Sequence, residues 1–138
     1  MELAMDGPGL EAFVAREFPQ VAGDFAVDAV GEALVVRLRV GDRHLRPGGT
    51  VSGPTMFALA DVGVYLAILS RLGPVALAVT TGANIDFMRK PVAGRDLIAQ
   101  VRLLKLGRVL AVGDVLIFSE GETQPVARAS MTYSIPRN

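Results

Sequence analysis

Apolar side chains first recur at Leu10, Phe13, Val14 and Phe18, the spacing of one helix face, and Pro19 ends that run. Residues 24–30 and 33–40 then read as two strands, the second alternating apolar and basic in its later half. Gly31-Glu32 between them is a hairpin turn. Residues 41–53 form a loop dense in Gly and Pro, and Pro54 stands where a first helical residue belongs. From Thr55 to Leu72 the chain is apolar on nearly every face, with Met56, Leu59, Val62, Leu66 and Leu69 among its residues, until Gly73-Pro74 stops it. Four longer runs follow at 76–87, 97–106, 109–119 and 126–135, each of strand character, with a hairpin turn at 119–123. Short loops make neighbouring strands mostly antiparallel. The expected architecture is α+β: five to six antiparallel strands wrapped around one long central helix, preceded by a short N-terminal helix.

The long helix could span a bilayer by composition. Asp61 lies inside it, however, and a charge at mid-bilayer costs about 2.5–3.5 kcal/mol on insertion scales. The flanking segments read as strands, so a core helix is expected.

At 138 residues the chain fits a single domain over 1–138. Half of it is apolar (51%) and a fifth charged (20%), more apolar surface than so small a monomer can bury, so a homo-oligomer is expected, dimer or tetramer. There is no cysteine, which removes disulfides, thiolate metal sites and a Cys nucleophile; one histidine, His44, excludes a multi-His metal site. No metal and no cofactor is expected. The N-terminal residues carry Glu2 and Asp6 rather than a basic stretch, so the cytoplasm is the default compartment, with no membrane partner. Zero net charge argues against a nucleic-acid partner. Arg89, Lys90, Arg95, Arg102, Lys105 and Arg108 nevertheless cluster within twenty residues against only Asp96, which suits a small polyanion or a set of solvated strand faces.

Asp61 is the candidate for chemistry. It is a lone carboxylate on an apolar helix, and positions three and four residues away are Phe57, Ala58, Val64 and Tyr65, none of them cationic. A buried carboxylate is costly unless paired or used. Two readings follow: an Asp bonded to a backbone N–H or a tyrosine, or a general base or nucleophile. The loop Pro47-Gly48-Gly49-Thr50-Val51-Ser52-Gly53-Pro54 presents backbone N–H groups at a helix start, where they bind anions or polarise a carbonyl. Pro54 and Asp61 are seven residues apart, about 10 Å along a helix. One subunit therefore does not place its own Asp61 beside its own Gly53 N–H, whereas a two-fold dimer with antiparallel helices does.

His44 to Pro54, running on to Leu59-Ala60-Asp61, resembles the signature of the PaaI-like hotdog thioesterases, part of the 4-hydroxybenzoyl-CoA thioesterase-like superfamily. The family pattern has an Asn, a His-Gly-Gly six residues later, and an Asp nine after the His. Residues 80–91 and 104–108 resemble its following strand and hairpin, and the likeness covers about residues 25–135. It implies a hotdog fold and hydrolysis of acyl-CoA or aryl-CoA thioesters. Asp61 takes the catalytic acid position, Gly53 that of the glycine whose N–H polarises the thioester carbonyl, and Thr80 that of a residue assisting water. Arg46 replaces the motif Asn, Ser52 the His and Pro54 the second Gly. Ser52 cannot act as an imidazole, and Pro54 has no N–H to donate. Arg46 could hold the thioester oxygen, a substrate carboxylate or a phosphate. Arg89, Lys90 and Arg108 are candidates for the CoA phosphates, with CoA arriving as part of the substrate.

Three other readings remain beside this one: a non-catalytic acyl-CoA-binding hotdog protein, a hydratase, and a plain dimerisation module. A hydratase wants a His beside its acid, and His44 lies outside the helix. Ser52, His44 and Asp61 do not make a hydrolase triad, because residues 49–53 read Gly-Thr-Val-Ser-Gly and not Gly-x-Ser-x-Gly. His44 is expected exposed in its loop, and Phe57, Tyr65, Phe87 and Phe118 in the core.

Overall fold

The computed structural model describes residues 2–136. Helix α1, Gly7–Glu17, is capped by Asp6, whose carboxylate accepts a hydrogen bond from the Gly9 N–H at 2.8 Å, and it buries Leu10, Phe13 and Val14. Pro19 ends α1 as expected, and also opens a one-turn helix α2, Pro19–Ala22, because a proline ring suits a first helical position. Strands β1, Phe25–Ala29, and β2, Leu34–Leu38, form an antiparallel pair in which Leu34, Val36 and Leu38 face the core.

After a single 3-10 turn at Asp42–His44 comes α3, Gly53–Leu72, the central helix. It begins one residue before the expected proline position: Ser52 is its N-cap and Gly53 its first residue. Twelve of its twenty residues are buried. By length and composition it could cross a membrane, but the sheet encloses it and its burial is that of a core helix. Apart from Leu72 at its last position, its exposed residues form one stripe, Pro54, Phe57 and Ala58, that leads to the half-buried Asp61.

Strands β3, Val79–Phe87, β4, Leu97–Leu106, β5, Leu110–Ser119, and β6, Ala127–Ser134, complete the sheet. All neighbours are antiparallel, in the order β1-β2-β4-β5-β6-β3, so the expected hotdog architecture holds. Strand β3 starts three residues later than the apolar run beginning at 76, since Ala78 N–H turns back to Val75 O. It pairs with β6 and not with β4, which follows it in the chain; the loop between β3 and β4 is too long for a tight hairpin. The sheet approaches α3 closely at two glycines. A Cβ on Gly63 would lie 2.8 Å from Val101 Cγ2, and one on Gly113 would lie 2.7 Å from Val64 Cγ2.

Candidate active site

Asp61 occupies the third turn of α3, on the edge of its exposed stripe. Across from it, Thr80 near the start of β3 and Tyr133 near the end of β6 are cross-strand partners. The register shifts between Thr80 and Gly82, leaving Thr81 as the bulged residue. The Thr80 hydroxyl donates to Asp61 Oδ1 at 2.6 Å, and the Tyr133 hydroxyl lies 2.8 Å from the same oxygen and 2.9 Å from the Asp61 main-chain oxygen. Among the described residues, no cation forms a salt bridge with Asp61. The carboxyl group is therefore held by hydroxyl donors and not by an ion pair.

These groups face a cavity of about 380 Å³. Glu17, Asp61, Tyr65, Thr80 and Tyr133 supply its polar wall, while Phe18, Leu77 and Val79 are apolar and partly exposed at its rim. Tyr65 donates to Ala76 O at 2.9 Å, and its ring lies 6.2 Å from that of Tyr133. Burial pushes the Tyr133 phenol well above the usual tyrosine range; a hydrogen bond with Thr80 opposes this, and the Asp61 charge adds to it. Tyr133 is thus a fixed proton donor. Burial likewise raises the Tyr65 phenol, with a further push from the Glu17 charge.

Asp61 and Thr80 are the two sequence-identified residues that one protomer brings together. Ser52 caps α3: its Oγ accepts from the Thr55 N–H at 3.3 Å and lies 2.8 Å from Thr55 Oγ1. Gly53, the first residue of α3, lies against the Phe87 ring, where a Cβ would stand 3.2 Å from Phe87 Cζ. Arg46 is exposed in a tight turn closed by Gly49 N–H to Arg46 O at 3.0 Å, with Gly48 and Gly49 at positive φ. Gly53, Ser52 and Arg46 do not line the cavity beside Asp61. Because Gly53 touches Phe87, it belongs with the far end of β3, seven residues or about 24 Å from Thr80.

Arg89 and Lys90 share a separate depression of about 240 Å³ at that far end, with Arg89 Nη1 donating to Pro125 O at 2.8 Å. Arg108 lies in the β4–β5 turn at the opposite end of the sheet, so the three basic residues do not form one patch in a protomer. Among the described residues no cluster of three or more His, Asp or Glu could hold a metal ion.

Two expectations are corrected. His44 is buried, 7% exposed: its Nδ1 accepts from the Gly41 N–H at 2.9 Å, and its Nε2 lies 3.6 Å from Asp24 Oδ2. Burial, and then the Arg43 charge, lowers its pKa. Phe57 and Phe87 are exposed, at 37% and 51%, because they sit on the open stripe of α3 and at the end of an edge strand. Tyr65 is in the core as expected, and Phe118 is half-buried.

Sequence reasoning does not single out Tyr133. The signal available is its place on the inward side of the alternation Ala127, Ala129, Met131, Tyr133, since a buried phenol needs a partner for its hydroxyl.

Comparison with known proteins gives the family. The family model of the thioesterase superfamily matches residues 48–126. A candidate esterase of Pseudomonas aeruginosa is 36% identical over 103 residues, 75% of each chain. The crystal structure of a candidate thioesterase from a Silicibacter species superposes with a TM-score of 0.93 at 62% identity, covering 99% of this chain and 96% of that one. A mutant of the phenylacetic acid degradation protein PaaI from Thermus thermophilus gives a TM-score of 0.72 at 28% identity, covering 86% of this chain and 99% of that one. With the helix-borne carboxylate facing a cavity, and the family model spanning more than half of its length, the chain belongs to the thioesterase superfamily of hotdog-fold hydrolases.

Proposed function

We propose that this protein hydrolyses acyl-CoA or aryl-CoA thioesters to the free acid and CoA, using Asp61. The observation that carries the reading is a carboxylate without an ion pair, held by two hydroxyls on the wall of a largely apolar cavity. Such a group can take a proton from water or attack a carbonyl carbon itself. In the water route, the water oxygen adds to the carbonyl carbon while Asp61 takes its proton. The C–S bond then breaks, and that proton passes to the leaving CoA sulfur. Thr80 gives its own proton to Asp61 and keeps its lone pairs to accept from that water.

The oxyanion donor comes from a second copy in this proposal. Strand β3 is a nine-residue edge with Val79 57% exposed and Phe87 51% exposed, and it carries no Lys or Pro to block pairing. Two such edges joined antiparallel about Ala83 and Asn84 lay the partner's Phe87 opposite Thr80. The partner's Gly53 N–H, the first of α3 and unbonded among the described residues, then faces the thioester oxygen near Asp61. The same operation carries the partner's Arg89 and Lys90 to the end where Arg108 already lies, gathering cations for the CoA phosphates. Arg46 would follow the Gly53 loop to that site. The exposed stripe of Phe57 and Ala58 is covered by the same pairing.

A second reading has one observation in its favour. Ser52 replaces the imidazole of the resemblance and its hydroxyl is engaged with Thr55, which suits an acyl-CoA binder that does not turn over. A free-thiol assay across acyl- and aryl-CoA thioesters, run beside Asp61→Asn, separates the two. The expected result is hydrolysis that falls about 10²–10⁴-fold in the variant, the range general acid–base catalysis supplies. Equal rates in both proteins would refute the role of Asp61. Stabilisation by CoA without hydrolysis would favour the binder.

A further inference from the structure

We propose that Tyr133 is a positioning residue for Asp61, which with Thr80 holds one carboxylate oxygen and reserves the other, Oδ2, as the reacting atom. The inference rests on the thioesterase reading above and adds to it a residue and a choice of oxygen.

The argument begins with the carboxylate's own freedom. The terminal torsion of an Asp is broad and roughly two-fold, so a helix alone does not decide which oxygen faces the cavity. Here two hydroxyls converge on Oδ1, from Thr80 at 2.6 Å and from Tyr133 at 2.8 Å. Oδ2 makes no hydrogen bond among the described residues and is not fully enclosed. The Tyr133 oxygen is also 2.9 Å from the Asp61 main-chain oxygen, and its single proton can be given fully to only one acceptor. An ionised carboxylate is the stronger acceptor, so Oδ1 takes it.

The second step is what holds the donors. Thr80 and Tyr133 face each other across the β3–β6 ladder, with the bulge at Thr81 immediately after the pair. Tyr133 is 3% exposed and its β6 backbone is paired on both sides, to β3 and to Ala111 of β5. Its ring therefore cannot swing away. Because the phenol stays protonated through the ordinary pH range, it donates throughout and never competes as a base. Asp61 is thus oriented by two rigid strands while its own backbone is set by α3. A rotation of the carboxylate would break both hydrogen bonds at once.

The test is steady-state hydrolysis by wild type, Tyr133→Phe, Thr80→Val and the double variant. The substrate is whichever thioester the wild type cleaves, and kcat and KM are measured with melting temperatures alongside. The Phe variant keeps the ring and removes only the hydroxyl, so the fold should persist. Expected is a kcat lowered about tenfold to a hundredfold, the span given by one lost hydrogen bond to a charged acceptor, with KM within about twofold. A residue that merely packs the core would lower the melting temperature without this split between kcat and KM. In the double variant the losses should not multiply, because both hydroxyls serve one oxygen.

If Asp61→Asn abolishes hydrolysis while Tyr133→Phe leaves kcat unchanged, the positioning role is wrong and the thioesterase reading stands. A wild-type protein that cleaves no thioester overturns both.

Discussion

Replacing Gly113 by alanine places a methyl group where the sheet meets the central helix. An ideal Cβ there lies 2.7 and 2.8 Å from the two γ-carbons of Val64 and 3.2 Å from its Cβ. Carbon atoms prefer about 3.5–4.0 Å, so the overlap is roughly 1 Å against the two γ-carbons and about half that against Val64 Cβ. Val64 cannot rotate out of the way, since a helical valine is confined to one χ1 well and both its methyls are already engaged. Strand β5 cannot retreat alone either, being paired on both sides. Overpacking of this kind costs about 1–3 kcal/mol. The reduced freedom of the unfolded chain returns about 0.4–1 kcal/mol. A net loss of about 1–2 kcal/mol is expected, lowering Tm by about 2–8 °C. Val64 is three residues from Asp61, so a displaced α3 should also lengthen the 2.6 Å bond from Thr80 and lower kcat. Urea unfolding of Gly113→Ala is the assay, with Gly23→Ala as control because its Cβ meets nothing within 4 Å. A Gly113→Ala protein that unfolds at the wild-type midpoint with the same m value would refute the claim that this contact sets the helix–sheet distance.

Gly63→Ala should cost less than Gly113→Ala: its Cβ meets a single atom, Val101 Cγ2 at 2.8 Å, and alanine regains about 1 kcal/mol of helix propensity. The same unfolding assay ranks them. Arg37 bonds Asp28 at 3.1 Å, Asp96 at 3.0 Å and Glu120 at 2.8 Å, joining β2 to β1 and to the neighbouring turns. Arg37→Ala should lose about 1–2 kcal/mol, and adding about 0.5 M salt, which shortens the screening length, should shrink that difference. His44 has a folded pKa below its unfolded value of 6.5, so below that pH the unfolded chain binds more protons than the native one. Stability should therefore rise with pH between the folded pKa and 6.5 and fall as pH drops through that window. His44→Asn should flatten this dependence in a series of melts, and an unchanged slope would show that another group is responsible.

The helices and strands are legible in the sequence because each depends on local order. The long helix is visible from its apolar faces and its Gly73-Pro74 stop, and the run 97–106 has the bounds of β4 itself. Asp61 stands out for the same reason, as the one carboxylate on an apolar segment, and Thr80 follows from a family pattern. His44 is not legible, because burial of a loop residue depends on what folds over it: here Asp24, from the other side of the first hairpin, and a Gly41 N–H.

By itself, then, the sequence determined the elements, the helix at the centre and the carboxylate on it, since periodicity and the cost of a lone buried charge act within a few residues. The tertiary structure decided which groups meet that carboxylate. Tyr133 is 72 residues from Asp61, and only the pairing of β3 with β6, opposite to chain order, sets its hydroxyl beside that of Thr80. The same pairing leaves β3 as an open edge and puts Gly53 at its far end. Strand order is fixed by long-range competition for partners and by the packing of all six strands on one helix, and no local pattern carries that information.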